Sequence, residues 1–257
     1  MSQNAPKGAP EQDARSSRTE ERLSSRAQRK IAEKESAKKR MLWTVIGAIA
    51  ALAIVGLIVF AVTRKPEVPA VAVAPAIDAD LLVSGRGMGD PDAPVKVVEF
   101  GDYQCPGCKF FDETVKPQLI EDFVKPGKIH FEFRDYAFIG PESKTAAIGA
   151  FCAAEQDKFW QFHNTLYINQ SKTENGGGLK PEYVRAIGEQ TGLDMTAYDA
   201  CIASDAPANA VDEMIAEAQA AGVNSTPSVL IDGVKIDWQG YDDLKPAIEE
   251  ALKKAGA

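Results

Sequence analysis

Histidine is nearly absent from this chain: among 257 residues only His130 and His163 carry an imidazole. Cysteine is scarce too, with Cys105, Cys108, Cys152 and Cys201, and only the first two stand close together. A structural zinc site usually draws on a second close pair of ligands, and Cys152 and Cys201 follow Cys108 by 44 and 93 residues, so the spacing argues against zinc. Covalent haem attachment needs His directly after the second cysteine, and Lys109 stands there. Positive charge is short in the main body: past residue 40 there are 18 Lys/Arg against 31 Asp/Glu. Phosphate binding requires a basic face, so no nucleic-acid partner is expected. No internal repeat is visible, and neither a metal nor a cofactor is expected.

Residues 1–40 lack aromatic residues and have too few branched apolar ones for a core. Their 11 Lys/Arg against 6 Asp/Glu read as a largely disordered basic tail, with a charged helix allowed over part of Thr19 to Arg40. Residues 41–63 lack charge altogether. About 20 apolar residues cross a bilayer core as a helix, so this run reads as a single transmembrane helix. Eight Lys/Arg between Arg22 and Arg40 precede it, and only Arg64 and Lys65 follow closely. Positive flanks stay inside, so the N-terminus is expected in the cytoplasm and the bulk of the chain outside, on the cell membrane. A cleaved signal peptide is the competing reading: its apolar region is shorter, but Ala70-Val71-Ala72 resembles a cleavage site. Residues 64–84 are rich in Ala and Pro; Arg64 to Asp80, with Pro66, Pro69 and Pro75, reads as an extended spacer. The folded domain is expected over 85–257.

Within that domain the elements alternate in type. Val95 to Phe100 is largely apolar and β-branched, a strand pattern. Cys105 to Phe123 places Phe110, Phe111, Val115, Leu119 and Phe123 at helical spacing, with Pro117 expected to kink it. Lys128 to Tyr136 alternates as a strand. Residues 141–203 read as several short helices, broken near Gly176-Gly177-Gly178 and Gly192. Asp205 to Ala221 reads as a helix with Asp205 as N-cap. Two short strands flank Asp232-Gly233, a strong hairpin signal, and a last helix presents Leu244, Ile248, Ala251 and Leu252. The order β-α-β, helical insert, α-β-β-α suggests a layered α/β domain around a mixed sheet. Phe159, Trp160, Phe162, His163 and Tyr167 read as core of the insert rather than a ligand set.

The chemistry gathers at Cys105-Pro106-Gly107-Cys108, which follows a strand and opens a helix. There the first cysteine faces unpaired backbone N–H groups and the positive end of the helix dipole, and both favour thiolate. Thiolate is the attacking species in disulfide exchange. Pro106 suits the first helical turn, having no N–H to satisfy. Cys105 is therefore expected as the exposed nucleophile and Cys108, one turn inward, as the resolving thiol.

The segment VVEFGDYQCPGC, Val97 to Cys108, resembles the active-site strand and helix start of DsbA-type proteins of the thioredoxin superfamily. NSTPS, Asn224 to Ser228, resembles that superfamily's cis-proline loop. FCAAEQDKFWQFHNTLY, Phe151 to Tyr167, resembles the start of the helical insert in membrane-tethered Gram-positive and actinobacterial members. The resemblance covers about Met88 to Leu252. It implies a thioredoxin fold with a helical insert, about 141–204, between the first β-α-β unit and a C-terminal β-β-α unit. It makes Pro227 the cis-proline, Thr226 the residue presenting backbone to a substrate chain, and Glu99 a buried acid able to relay a proton to Cys108. It implies a structural disulfide between Cys152 and Cys201; a second shuttle pair is the alternative. The implied activity is oxidation of reduced or unfolded exported proteins, with reoxidation by a quinone-linked membrane partner of the DsbB or vitamin-K-reductase type. A reductase or isomerase, or a tethered peptide-binding module without turnover, would use the same frame. The pattern departs at Gly107, where the best-known members carry a His that stabilises the thiolate, so the oxidising strength is left open.

Overall fold

The computed structural model describes residues 10–63 and 70–257, and these two stretches form two separate compact units. The first is one helix, α1, Pro10–Thr63. Helix therefore runs on through the basic tail, where composition led us to expect disorder. Lys, Arg, Glu, Gln and Ala all have high helix propensity, and an apolar helix already formed downstream removes the cost of nucleation. The helix over Glu33–Phe60 is long and apolar enough to cross a membrane, and its apolar part is not buried. Trp43, Ile49, Leu52 and Leu57 all stay exposed, an apolar surface on every side.

The second unit is built on a six-stranded mixed sheet. Its strands are β1 (Val83–Ser84), β2 (Gly87–Met88), β3 (Val95–Gly101), β4 (Ile129–Asp135), β5 (Ser228–Ile231) and β6 (Val234–Ile236), in the order β1-β2-β4-β3-β5-β6. β3 and β4 are parallel, in register from Val95 opposite Ile129 to Gly101 opposite Asp135, whereas β5 runs antiparallel to β3 and to β6. Asp232 and Gly233 both take positive φ, which the tight β5–β6 turn requires. The β1–β2 hairpin, too short to show alternation, is absent from the sequence reading.

Between β3 and β4 the chain is helical from Pro106 to Val124. We call this α2; it comprises Pro106–Phe110, a π-helical turn Phe111–Val115, Lys116–Leu119 and a second π turn Ile120–Val124. Pro117 has no N–H to give the preceding turn, and the wider π turn before it takes up the misfit without ending the helix. The insert contributes α3 (Pro141–Ala154), α4 (Phe159–Ile168), α5 (Pro181–Gln190) and α6 (Met195–Ile202); α7 (Ala206–Ala220) and α8 (Tyr241–Ala255) follow. Asp205 sits at the N-cap of α7 but its side chain makes no capping bond, whereas Asp194 caps α6 by accepting from the N–H groups of Thr196 and Ala197.

Alternation along β3 separates two faces. Val95 and Val97 join the main core with Phe111, Val115, Phe131, Phe133 and Ile248, while Phe100 packs with Ala218, Val223 and Leu230 on the other side. Glu99, two residues beyond Val97, falls on the α2 side. His163, Phe159, Trp160, Phe162 and Tyr167 are all buried.

The segment read as a free spacer is docked from Val71 onward. Ala74 and Leu81 are buried, and Val71 and Ile77 pack on the core. Ala72 N–H donates to Asn169 Oδ1 (3.0 Å) and its carbonyl accepts from Asn169 Nδ2 (2.6 Å). Ala74 N–H donates to Thr165 Oγ1 (3.2 Å), and Gln161 Nε2 donates to its carbonyl (2.7 Å). Gln161, Thr165 and Asn169, each four residues on, lie along one face of α4 and satisfy alternate residues of an extended chain. Residues 64–69 of the expected spacer lie outside the described residues.

Candidate active site

β3 ends at Gly101 and α2 begins at Pro106, so Asp102 to Cys105 form the loop that delivers the cysteine pair. Cys105 is the N-cap residue of α2 and Pro106 takes the first helical position. Both cysteines are free thiols. Cys108 is fully buried, and Cys105 keeps only 8% of its surface. The expectation of an exposed Cys105 is corrected to this extent: it is the more accessible of the two, but the loop before β5 covers most of it. Thr226–Pro227 in that loop is a cis peptide bond. Cys105 Sγ–H donates to the Thr226 carbonyl at 3.3 Å. A Cβ on Gly107 would stand 2.9 Å from Pro227 Cδ and 3.6 Å from Cys105 Sγ, so a larger residue here would require the proline ring to shift from its present approach to the helix start.

The two thiols are driven apart in acidity. A hydrogen bond from Cys108 brings the Cys105 thiol down to about 6; burial opposes this, and Thr226 and the N–H groups of Cys108 and Gly107 assist. Burial pushes Cys108 well up, as does its bond to Cys105 and the charge of Glu99. Asp102 N–H donates to Cys108 Sγ at 3.4 Å. Glu99 is 1% exposed, and its Oε1 has no hydrogen-bond partner among the described residues. Burial holds its carboxyl well above the usual range, against the pull of Lys116. The arrangement joins a sulfur that ionises near neutrality to one that keeps its proton, with a buried acid on the same side of the sheet.

Cys152 and Cys201 are bonded to each other, with S–S 2.00 Å, joining α3 to α6. They belong to helices of the insert, not to the loop and helix start that carry Cys105 and Cys108.

Around the loop, Asp102, Gln104, Asp112, Lys116, Ser143 and Asn175 carry no signal of a site in the sequence, and His163, read there as core, is buried among polar partners. The Asp102 carboxylate accepts from Gln104 N–H (2.8 Å), Ser143 Oγ (2.7 Å), Phe138 N–H (3.0 Å) and Ile139 N–H (3.1 Å). Gln104 exchanges bonds with Asn175: its Oε1 accepts from Asn175 N–H at 2.5 Å and its Nε2 donates to Asn175 Oδ1 at 3.2 Å. His163, fully buried, meets Tyr103 OH at Nδ1 and Asp112 at Nε2, each at 3.0 Å. Lys116 Nζ bonds Asp112 and, at 2.8 Å, Asn164 Oδ1. Burial presses His163 down to about 4, so it is neutral, and both its bonds are then made if Tyr103 O–H and Nε2–H donate. Burial raises the Asp112 carboxyl, but Lys116 and His163 outweigh it and hold it near about 2. Asp112 and Lys116 are four apart on α2, a spacing the sequence does show, but their partners His163 and Asn164, like Ser143 and Asn175 around Asp102 and Gln104, stand tens of residues away, where no spacing rule reaches.

The thioredoxin family pattern matches residues 83–250. A probable disulfide bond formation protein D of Bacillus anthracis is 30% identical over 223 residues, 86% of this chain and 100% of that one. The disulfide bond formation protein D of Bacillus subtilis is 31% identical over 183 residues, 65% of this chain and 76% of that one. The crystal structure of oxidised BdbD from Bacillus subtilis matches with a TM-score of 0.61 at 30% identity, over 66% of this chain and 93% of that one. Wolbachia pipientis alpha-DsbA1 shares the fold, with a TM-score of 0.59 at 20% identity over 66% of this chain and 92% of that one. The chain thus belongs to the thioredoxin family, as a DsbA-like protein thiol–disulfide oxidoreductase.

Proposed function

We propose that this oxidoreductase introduces disulfides into exported proteins through Cys105 and Cys108, from a domain held at the outer face of the cell membrane by the helix over 41–63. The observation that carries the reading is the split acidity of the pair, with Cys105 brought down to about 6 while Cys108 is pushed up. In the oxidised protein a substrate thiolate attacks Cys105 Sγ, the Cys105–Cys108 bond breaks, and Cys108 leaves with the electron pair and takes a proton. A second substrate thiolate then attacks the substrate sulfur of the mixed disulfide. The substrate leaves with a disulfide, and Cys105 departs as thiolate. A low leaving-group pKa speeds that departure, so the environment of Cys105 favours transfer of the disulfide outward. Thr226 and Pro227 offer backbone to an extended substrate chain, and Glu99 relays the proton at Cys108. Two electrons and two protons then pass to a membrane reoxidase, with quinone as acceptor, restoring the bond.

The deciding measurement is the reduction potential of the pair in the full-length chain, equilibrated with glutathione buffers. We expect a value above that of thioredoxin, about −270 mV, and below that of DsbA, about −120 mV, because Gly107 adds no charge beside the sulfur. A value at or below thioredoxin's would replace the oxidase reading by a reductase. Orientation is tested by protease added to intact cells or spheroplasts. Digestion of the domain with residues 1–40 spared is expected, and protection of the domain would reverse the topology.

A further inference from the structure

One face of α4 grips the loop that ends in Cys105. His163, Tyr167 and Gln170 are spaced by four and three residues, which brings them to one side of a helix. His163 Nδ1 takes Tyr103 OH at 3.0 Å, and Tyr167 OH reaches the Asp102 carbonyl at 3.5 Å. Gln170, just past the end of α4, spends both hydrogens of its amide nitrogen on the loop backbone. Nε2 donates to the Tyr103 carbonyl and to the Cys105 carbonyl, each at 2.9 Å. The Cys105 carbonyl also accepts the first helical bond of α2, from Lys109 N–H at 3.2 Å. The Tyr103–Gln104 and Cys105–Pro106 peptide planes, which bracket Gln104 and Cys105, are therefore both held by one side chain of the insert. The second of them sets the direction in which the Cys105 side chain leaves the backbone toward Thr226.

We propose that Gln170 is a positioning residue for disulfide exchange, holding the Cys105 sulfur on its line of approach by clamping the carbonyls of Tyr103 and Cys105. The proposal rests on the reading of Cys105 as the exchanging sulfur. It gives the helical insert a part in the reaction besides covering the sheet. Gln170 is only half-buried, so its replacement leaves the core intact. The titratable groups facing Cys105 are Cys108 on its own helix and Glu99 from β3, and neither is altered by the substitutions below.

The test uses the full-length chain in detergent with Gln170→Met, which keeps length and loses both donors, and Gln170→Glu, which keeps shape but accepts where Gln donates. Two readouts are taken: alkylation of Cys105 by iodoacetamide against pH in the reduced protein, and the single-turnover rate at which the oxidised protein oxidises a dithiol peptide. Gln170→Met should slow the turnover by about tenfold or more, the scale of a sulfur displaced by a fraction of an ångström. Gln170→Glu should slow it further and move the alkylation midpoint up by about one pH unit, since a carboxylate beside the loop disfavours the thiolate. Tyr103→Phe, which loses only the bond to His163, should lower the melting temperature and leave the midpoint in place. Wild-type rate and midpoint in both Gln170 variants would overturn the proposal. So would a midpoint moved as far by Tyr103→Phe as by Gln170→Glu, because the loop would then be answering to any loss of packing. Cys105 of the wild-type chain alkylating no faster than a free thiol is a separate outcome, and it removes the underlying reading instead.

Discussion

Cys105 Sγ lies 3.3 Å from the carbonyl oxygen of Thr226, across 121 residues of chain. The contact joins the start of α2 to the loop before β5 and leaves the sulfur one narrow side open. Cys108, one turn deeper, has no open side at all. That inequality predicts separate fates for the two single mutants. Cys108→Ser should accumulate mixed disulfides with client proteins at Cys105, and Cys105→Ser should lose exchange altogether. Mass spectrometry of trapped adducts checks it, and adducts found on Cys108 would reverse the roles.

The second prediction is a pH dependence of the reduced full-length chain. With the Cys105 thiol lowered to about 6, its alkylation rate should rise through that pH and level off by about pH 8. The sign for stability follows. The folded pKa lies below that of the unfolded thiol, so between the two the unfolded state binds more protons and stability rises with pH. The contribution is complete above the unfolded thiol's range and is lost as pH falls through about 6. Cys108, shifted the other way, stays protonated in both states below the ordinary thiol range and is silent there. Urea unfolding between pH 5.5 and 8.5, against Cys105→Ser, measures the difference; equal slopes for the two proteins would refute it.

Replacing Cys152 and Cys201 together by Ala should cost about 4 kcal/mol, the chain-entropy value for a closed loop of about 50 residues. The bond joins α3 to α6 within the insert and bonds neither Cys105 nor Cys108, so turnover per folded molecule should survive. Loss of turnover in a fully folded double mutant would favour a relay between the two pairs.

Gly107→His should move the reduction potential toward the oxidising end, because its Cβ would sit 3.6 Å from Cys105 Sγ and bring a donor to the thiolate. The same Cβ would press on Pro227 Cδ at 2.9 Å, so the proline loop must give way. We therefore expect weaker substrate binding together with the higher potential, read as a raised KM. A potential left where it was would mean that the substituent turns away from the sulfur.

Asn169→Ala should release the docked segment before the domain. It loses both bonds to Ala72 and the one from Tyr183 OH. A loss of roughly 1–3 kcal/mol is expected, the scale of hydrogen bonds left unmade. Faster hydrogen exchange at Ala72 and Ala74 should accompany it. Unchanged exchange there would show that the segment is held by its apolar contacts alone.

Much of the frame was legible locally. Charge-free length marked the apolar helix, a β-branched apolar run marked β3, period-two alternation marked β4, and Asp232-Gly233 marked the last hairpin, because each signal depends only on neighbours in sequence. The placement of Cys-Pro-Gly-Cys after a strand and at a helix start was legible for the same reason. What neighbours could not show was burial and partnership. Burial of Glu99 was implied by the resemblance alone, because a strand glutamate shows nothing of its surroundings until β3 is seen covered by α2. Residues 71–81 read as spacer because their Ala and Pro composition says nothing of the Gln161, Thr165 and Asn169 ladder that receives them.

The sequence by itself determined which residue types stand at the helix start, and with them the class of chemistry, since a cysteine pair one turn apart needs only local backbone to meet. The tertiary structure alone decided how those sulfurs differ. Cys105 owes its low pKa first to Cys108 one turn on, but what covers and holds it, the Thr226 carbonyl and the Gln170 amide, stands 121 and 65 residues away. A sulfur's acidity and aim are set by the dipoles and surfaces that enclose it, and only the folded chain brings those together.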